Sequence, residues 1–135
     1  MKKILWLMTL LCLCACSTTT KTTSEGSYTN AKGAVATAKL EWENDQMVAV
    51  ELDETTENTT KKALGEAYDM KQASAINKNW NEQIAFLENY IVANGIDQIQ
   101  LNEEGKAVNE DILSGCTISI DSYVKPVQDA QAKHE

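Results

Sequence analysis

Apolar and polar residues alternate along Ala34–Trp42, with Ala34, Ala36, Ala38, Leu40 and Trp42 on one side and Val35, Thr37, Lys39 and Glu41 on the other. A period of two is that of a strand with one buried face. Asn44-Asp45 follow, residues that tolerate the backbone of a tight turn. Gln46–Asp53 then returns with Val48, Val50 and Leu52 inward. The pattern predicts a β-hairpin, with Ser27–Thr29 as a short leading strand and small alanines that let a helix come close. From Lys71 to Asn94 the period lengthens: Ala73, Ile76, Trp80, Ile84, Leu87 and Ile91 recur at steps of three and four. That is one apolar stripe of a long amphipathic helix, stopped at Asn94-Gly95. Trp80 on this stripe reads as a core residue.

Weaker signals fill in the rest. Thr59–Leu64 reads as a short helix ending at Gly65, and Asp97–Asn102 alternates around Ile99 and Leu101 as a further strand. Tyr123, Val127 and Ala130 have helical spacing within Ser119–Ala132, with Ser119 as N-cap; Pro126 is out of place in such a helix. The expected fold class is α+β: a small, mostly antiparallel sheet with the long helix packed on one face and a C-terminal helix.

The N-terminus changes the setting. Lys2 and Lys3 precede the apolar run Ile4–Leu13, which has the length of a signal-peptide core rather than a membrane span. Leu13-Cys14-Ala15-Cys16 resembles a bacterial lipobox, which makes Cys16 the lipidation residue; an ordinary secretory signal is the alternative. The organisation expected is a signal peptide at 1–15, a lipidated cysteine and flexible Ser/Thr-rich tether at 16–26, and a single domain at 27–135. Two or three acyl chains hold a protein firmly at a membrane. The localisation expected is therefore the extracytoplasmic face of the cell membrane, with the membrane itself a partner through the lipid.

The chain has 12 basic and 20 acidic residues, and all the basic ones are lysine. An acidic domain without a basic patch argues against nucleic acid as a partner. The sole histidine, His134, is the penultimate residue, so no histidine-centred catalytic arrangement is expected. No Cys/His cluster with zinc spacing and no Walker or dinucleotide glycine pattern occurs. Once the leader is removed, Cys116 is the only unmodified cysteine. It suits a small buried residue, or alternatively a redox-active thiol.

One stretch remains, Asp111-Ile112-Leu113-Ser114-Gly115-Cys116-Thr117, where a short apolar run breaks at Ser-Gly and offers a threonine hydroxyl. Successive N–H groups at such a turn, with a helix opening near Ser119, would make a concavity suited to phosphate. The pattern Asp-x-x-Ser/Thr-Gly-Ala-Thr resembles that of the FMN-binding domains of extracytoplasmic flavoproteins. The match lies at Asp111, Ser114, Gly115 and Thr117, and Cys116 replaces the usual alanine. The resemblance implies that a flavin transferase esterifies FMN through its phosphate to Thr117, and that Asp111, Ser114, Gly115 and Cys116 shape the recognition loop. It further implies that Tyr68 and Met70 help enclose the flavin ring, although both equally suit the edge of a core. Lys61 and Lys62 read as a solvated face.

Without acid–base residues of its own, such a domain would act as an electron carrier fed by a membrane redox donor, with FMN as cofactor. The alternative is a surface lipoprotein of the same fold without FMN, acting as a binding or interaction module.

Overall fold

The computed structural model describes residues 18–134, so the expected signal peptide and the lipidated Cys16 lie outside the described residues. The fold is α+β. Strands β1 (Lys21–Thr29), β2 (Val35–Glu43) and β3 (Gln46–Glu54) form an antiparallel sheet in that spatial order. Ala36, Ala38, Leu40 and Trp42 of β2 join Val50 and Leu52 of β3 in the core. Glu25, Thr37, Lys39 and Glu51 occupy the opposite, water-facing side. Asn44 and Asp45 join β2 to β3 with φ of 51° and 62°, the left-handed pair that a two-residue hairpin turn requires.

Two expectations for the sheet are corrected. Lys21–Gly26 is not a tether but the first two-thirds of β1, paired residue by residue with Glu43–Ala38. Its inward residues are Ser24 and Gly26, so no apolar alternation marks the strand. Ser24 is held because its hydroxyl accepts the Trp42 indole N–H at 3.0 Å. Val48 is not inward: the register slips at Glu41/Trp42 so that Trp42 pairs with Met47, and Val48 becomes the extra residue, 42% exposed. A bulge of this kind rotates one residue out of the alternation.

Helices α1 (Lys61–Leu64), α2 (Trp80–Asn94), α3 (Glu110–Leu113) and α4 (Asp121–Ala132) complete the described chain. α2 lies along β3 and buries Trp80, Gln83, Ile84, Leu87 and Ile91. α4 crosses β1 and β2, burying Tyr123, Val124, Pro126, Val127 and Ala130. A β-carbon on Gly26 would fall 2.0 Å from the Pro126 carbonyl oxygen, so this strand meets the helix backbone to backbone. Pro126 lies inside a continuous helix, and its missing N–H leaves the Ser122 carbonyl without its usual donor. The outer strands are shielded: Asp129 accepts the Ser27 N–H, Lys133 donates to the Glu25 carbonyl, and Glu88 of α2 accepts the Leu52 N–H.

Three further boundaries differ. α2 begins at Trp80 rather than Lys71, because Asn79 and Glu82 form a capping box and Asn77 has φ of 54° just before it. Ala73 is accordingly exposed. Asp97–Asn102 forms a 3₁₀ turn and a single bridge, not a strand; the Asn102 side chain accepts the N–H groups of Glu104 and Lys106 instead. Ser119 is not the cap of α4, since Ile120 holds that position and the Ser119 hydroxyl donates to the Glu104 carbonyl.

Candidate functional site

The loop after α3 is tied down from within. Ser114 N–H donates to the Glu110 carbonyl, while Gly115 and Cys116 N–H both donate to that of Ile112. Thr117 N–H donates to Gln83 Oε1 at 2.9 Å. The expected concavity of unpaired amides for a phosphate is therefore not formed: α3 is one turn long, and its carbonyls take the N–H groups that follow it.

Gln83 was not foreseen. It is fully buried on the apolar stripe of α2, and its amide N–H₂ donates to Ser74 Oγ and the Lys78 carbonyl while its oxygen holds Thr117. The available signal was a glutamine at a stripe position, three residues after Trp80 and four before Leu87.

The motif residues divide by role. Asp111 is exposed and accepts the N–H of Ile112. Burial, then the Asp111 charge and hydrogen bond, push the Tyr90 hydroxyl above its usual range. The Ser114 hydroxyl donates to the Asp111 carbonyl at 2.7 Å. Gly115 lies against the Phe86 ring, where a β-carbon would come within 2.2 Å of Cδ2. Cys116 is 1% exposed, and burial pushes its thiol up to about 11 despite an opposing backbone hydrogen bond at Ile118.

Thr117 is half-buried. Among the described residues its hydroxyl has no hydrogen-bond partner and is not sealed from solvent. It borders a hollow of about 270 Å³ shared with Ser74, Lys106 and Ser119.

Ser119 also borders a larger groove, about 620 Å³, between the β1–β2 turn, the end of β3, α1 and the start of α4. Its lining includes Tyr28, Lys32, Glu54, Lys61, Tyr68 and Asp121. Lys61 is not on a solvated face: its side chain is 15% exposed and its ammonium lies 2.5 Å from Glu54. Lys62 is likewise paired, with Glu88 at 2.6 Å. The Lys61 ammonium also approaches the Tyr123 hydroxyl at 3.4 Å, and that hydroxyl accepts the Trp80 indole N–H at 2.9 Å.

Burial lowers the Lys61 pKa, but the Glu54 bond and the fields of Tyr123, Glu54 and Tyr68 outweigh it and hold it above the ordinary lysine range. Burial pushes the Tyr123 phenol up to about 12, with Lys61 opposing. Tyr68 meets Trp80 edge-on, with centroids 6.5 Å apart, and its ring lies 4.9 Å from the Lys61 ammonium. The structure thus brings Tyr68 into the groove, whereas Met70 packs against the core. His134 is stacked on Trp42 at 3.9 Å between centroids, with Nε2 3.5 Å from Asp45.

No family model and no curated protein matches the chain. A solution NMR structure of a Clostridium thermocellum protein from the Northeast Structural Genomics Consortium is similar, with a TM-score of 0.57 at 22% identity. The match covers 84% of this chain and 90% of that one, and at this identity the likeness speaks for the α+β fold alone.

Proposed function

We propose that the chain is a lipid-anchored extracytoplasmic flavoprotein that carries FMN on Thr117 through a phosphoester and relays electrons from a membrane redox donor. The observation that carries this reading is the Thr117 hydroxyl. In a loop whose N–H groups are all bonded and whose Gly115 and Cys116 are packed inward, this hydroxyl has no hydrogen-bond partner among the described residues and is not sealed from solvent, and Thr117 borders a hollow.

The residues present fit attachment at this point. Cys116 does the work of a small apolar residue, and Lys106 and Ser74 border the hollow where the charged ester would lie. Bound FMN would supply the reversible redox chemistry, and the chain supplies its fastening and surroundings. Gln83 holds the Thr117 backbone still, which keeps the hydroxyl presented to a transferase.

Co-expression with a flavin transferase followed by intact-mass measurement tests this. One FMN-sized increment, absent in Thr117→Val, is expected; a wild-type chain with no increment and no yellow colour overturns it. A second reading, a lipoprotein without FMN that acts as a binding module, draws support from the fully bonded loop amides, which give a phosphate no backbone cradle. In that reading the groove beside Lys61 does the binding.

A further inference from the structure

We propose that the groove between the β1–β2 turn, α1 and the start of α4 binds a planar heteroaromatic ring with an amide- or imide-type edge, gripped at its floor by Lys61 and Glu54. The inference deepens the flavin reading and rests on it for the identity of the ring.

The floor is an ion pair with capacity to spare. Lys61 spends one N–H on Glu54 Oε1 and a second, at 3.4 Å, on the Tyr123 hydroxyl. An ammonium has three donors, so one is left without a hydrogen-bond acceptor among the described residues, and Lys61 lines the groove. Glu54 Oε1 is taken, whereas Oε2 has no partner among the described residues and is not sealed off. A donor and an acceptor therefore stand side by side. That is the complement of a ring edge on which a carbonyl adjoins an N–H.

Three features narrow the class. The two charges offset each other, so the floor favours a neutral polar edge over a free ion. Their side chains are only 15% and 9% exposed, so both are held in place before any ligand arrives. Tyr68 and Tyr28 line the same groove and offer aromatic surface to a flat ring. A volume of about 620 Å³ lies within the usual range for small-molecule sites. Ser119 borders both the groove and the hollow that Thr117 lines.

Riboflavin, which has the ring but no phosphate, is the probe. Titrated with the purified chain in detergent, it should lose fluorescence saturably as it stacks beside Tyr68 and Tyr28. Tyr68→Leu, and the paired change Lys61→Met with Glu54→Leu, should each weaken binding about tenfold or more, since unpaired polar edges are strongly penalised. Circular dichroism checks that the variants fold. Absence of saturable quenching by the wild-type chain overturns the inference, as does equal binding by the folded paired variant. The two readings fail separately: an FMN mass increment without riboflavin binding leaves only attachment, and riboflavin binding without an increment leaves only the groove.

Discussion

Gly115→Ala separates a packing role for the motif glycine from any role in ligand recognition. The added carbon would sit 2.2 Å from Cδ2 of Phe86, 2.3 Å from Cγ and 2.5 Å from Cε2. Carbon–carbon contacts are favourable at roughly 3.5–4.0 Å, so the ring must retreat by about 1.5 Å. Gly115 is not among the positive-φ glycines, so alanine meets no left-handed backbone penalty there. The whole cost is therefore the collision. Overpacking costs about 1–3 kcal/mol, and because Phe86 is half-buried with a route outward, the lower half of that range applies.

Urea unfolding of wild type, Gly115→Ala, Phe86→Ala and the double variant closes the cycle. In the Phe86→Ala background the collision is gone, and Gly→Ala at a compatible position stabilises by about 0.4–1 kcal/mol through the unfolded chain. The coupling energy should thus be about 1.5–3 kcal/mol, well above the scatter for independent sites. A Gly115→Ala change that is neutral in the wild-type background, or equally costly in both, refutes the packing account.

Other consequences follow from the same reasoning. Gly26→Ala places a carbon 2.0 Å from the Pro126 oxygen and 2.6 Å from the Ala130 nitrogen, both backbone atoms. The urea midpoint should fall by the equivalent of about 3 kcal/mol, and an unchanged midpoint would count against the close crossing of α4 over β1. Lys61→Met alone strands the Glu54 carboxylate and should cost about 2–3 kcal/mol in thermal melts, with most of it recovered when Glu54→Leu is added. Stability should also fall in alkali. The folded pKa of Cys116 is raised from 9.0 to about 11, so its contribution is complete below about pH 9 and lost as pH climbs through 11. That loss approaches about 3 kcal/mol, and Cys116→Ala should remove this limb while leaving the later one from Tyr123. The same burial should make Cys116 unreactive to iodoacetamide at neutral pH until urea is added.

The parts of the fold that were legible in the sequence are those whose periodicity survives at the surface. β2 shows a clean alternation because its inward residues are all apolar, and the Ala34–Trp42 reading differs from Val35–Glu43 by one residue at each end. β1 was hidden because its inward positions are Ser24 and Gly26, chosen by a hydrogen bond and by the nearness of α4 rather than by hydrophobicity. The start of α2 was misplaced because Ala73 and Ile76 continue the stripe by spacing alone, while Ser74, Asn77 and Asn79 impose local turns that end it. Lys61 and Glu54 could not be joined from sequence, since they meet only when α1 folds back on β3.

The motif that pointed to a flavin turns out to consist of residues with different degrees of freedom. Phe86 demands that position 115 lack a side chain, and the buried pocket around position 116 asks for something small, which cysteine satisfies. Ser114 closes the end of α3, and the Thr117 amide is spoken for by Gln83. Packing therefore accounts for Gly115 and Cys116 whether or not any nucleotide is bound, and the match of Gly115 to a flavoprotein pattern carries little weight. The Thr117 hydroxyl is different, because no hydrogen bond among the described residues requires it, and valine would fill the same half-buried volume. A hydroxyl with no structural duty, on a residue that borders a hollow shared with a lysine, is where a functional account has to begin. Thr117→Val should accordingly leave stability within about 0.5 kcal/mol of wild type, as expected for substitutions away from structural features, while abolishing any covalent increment.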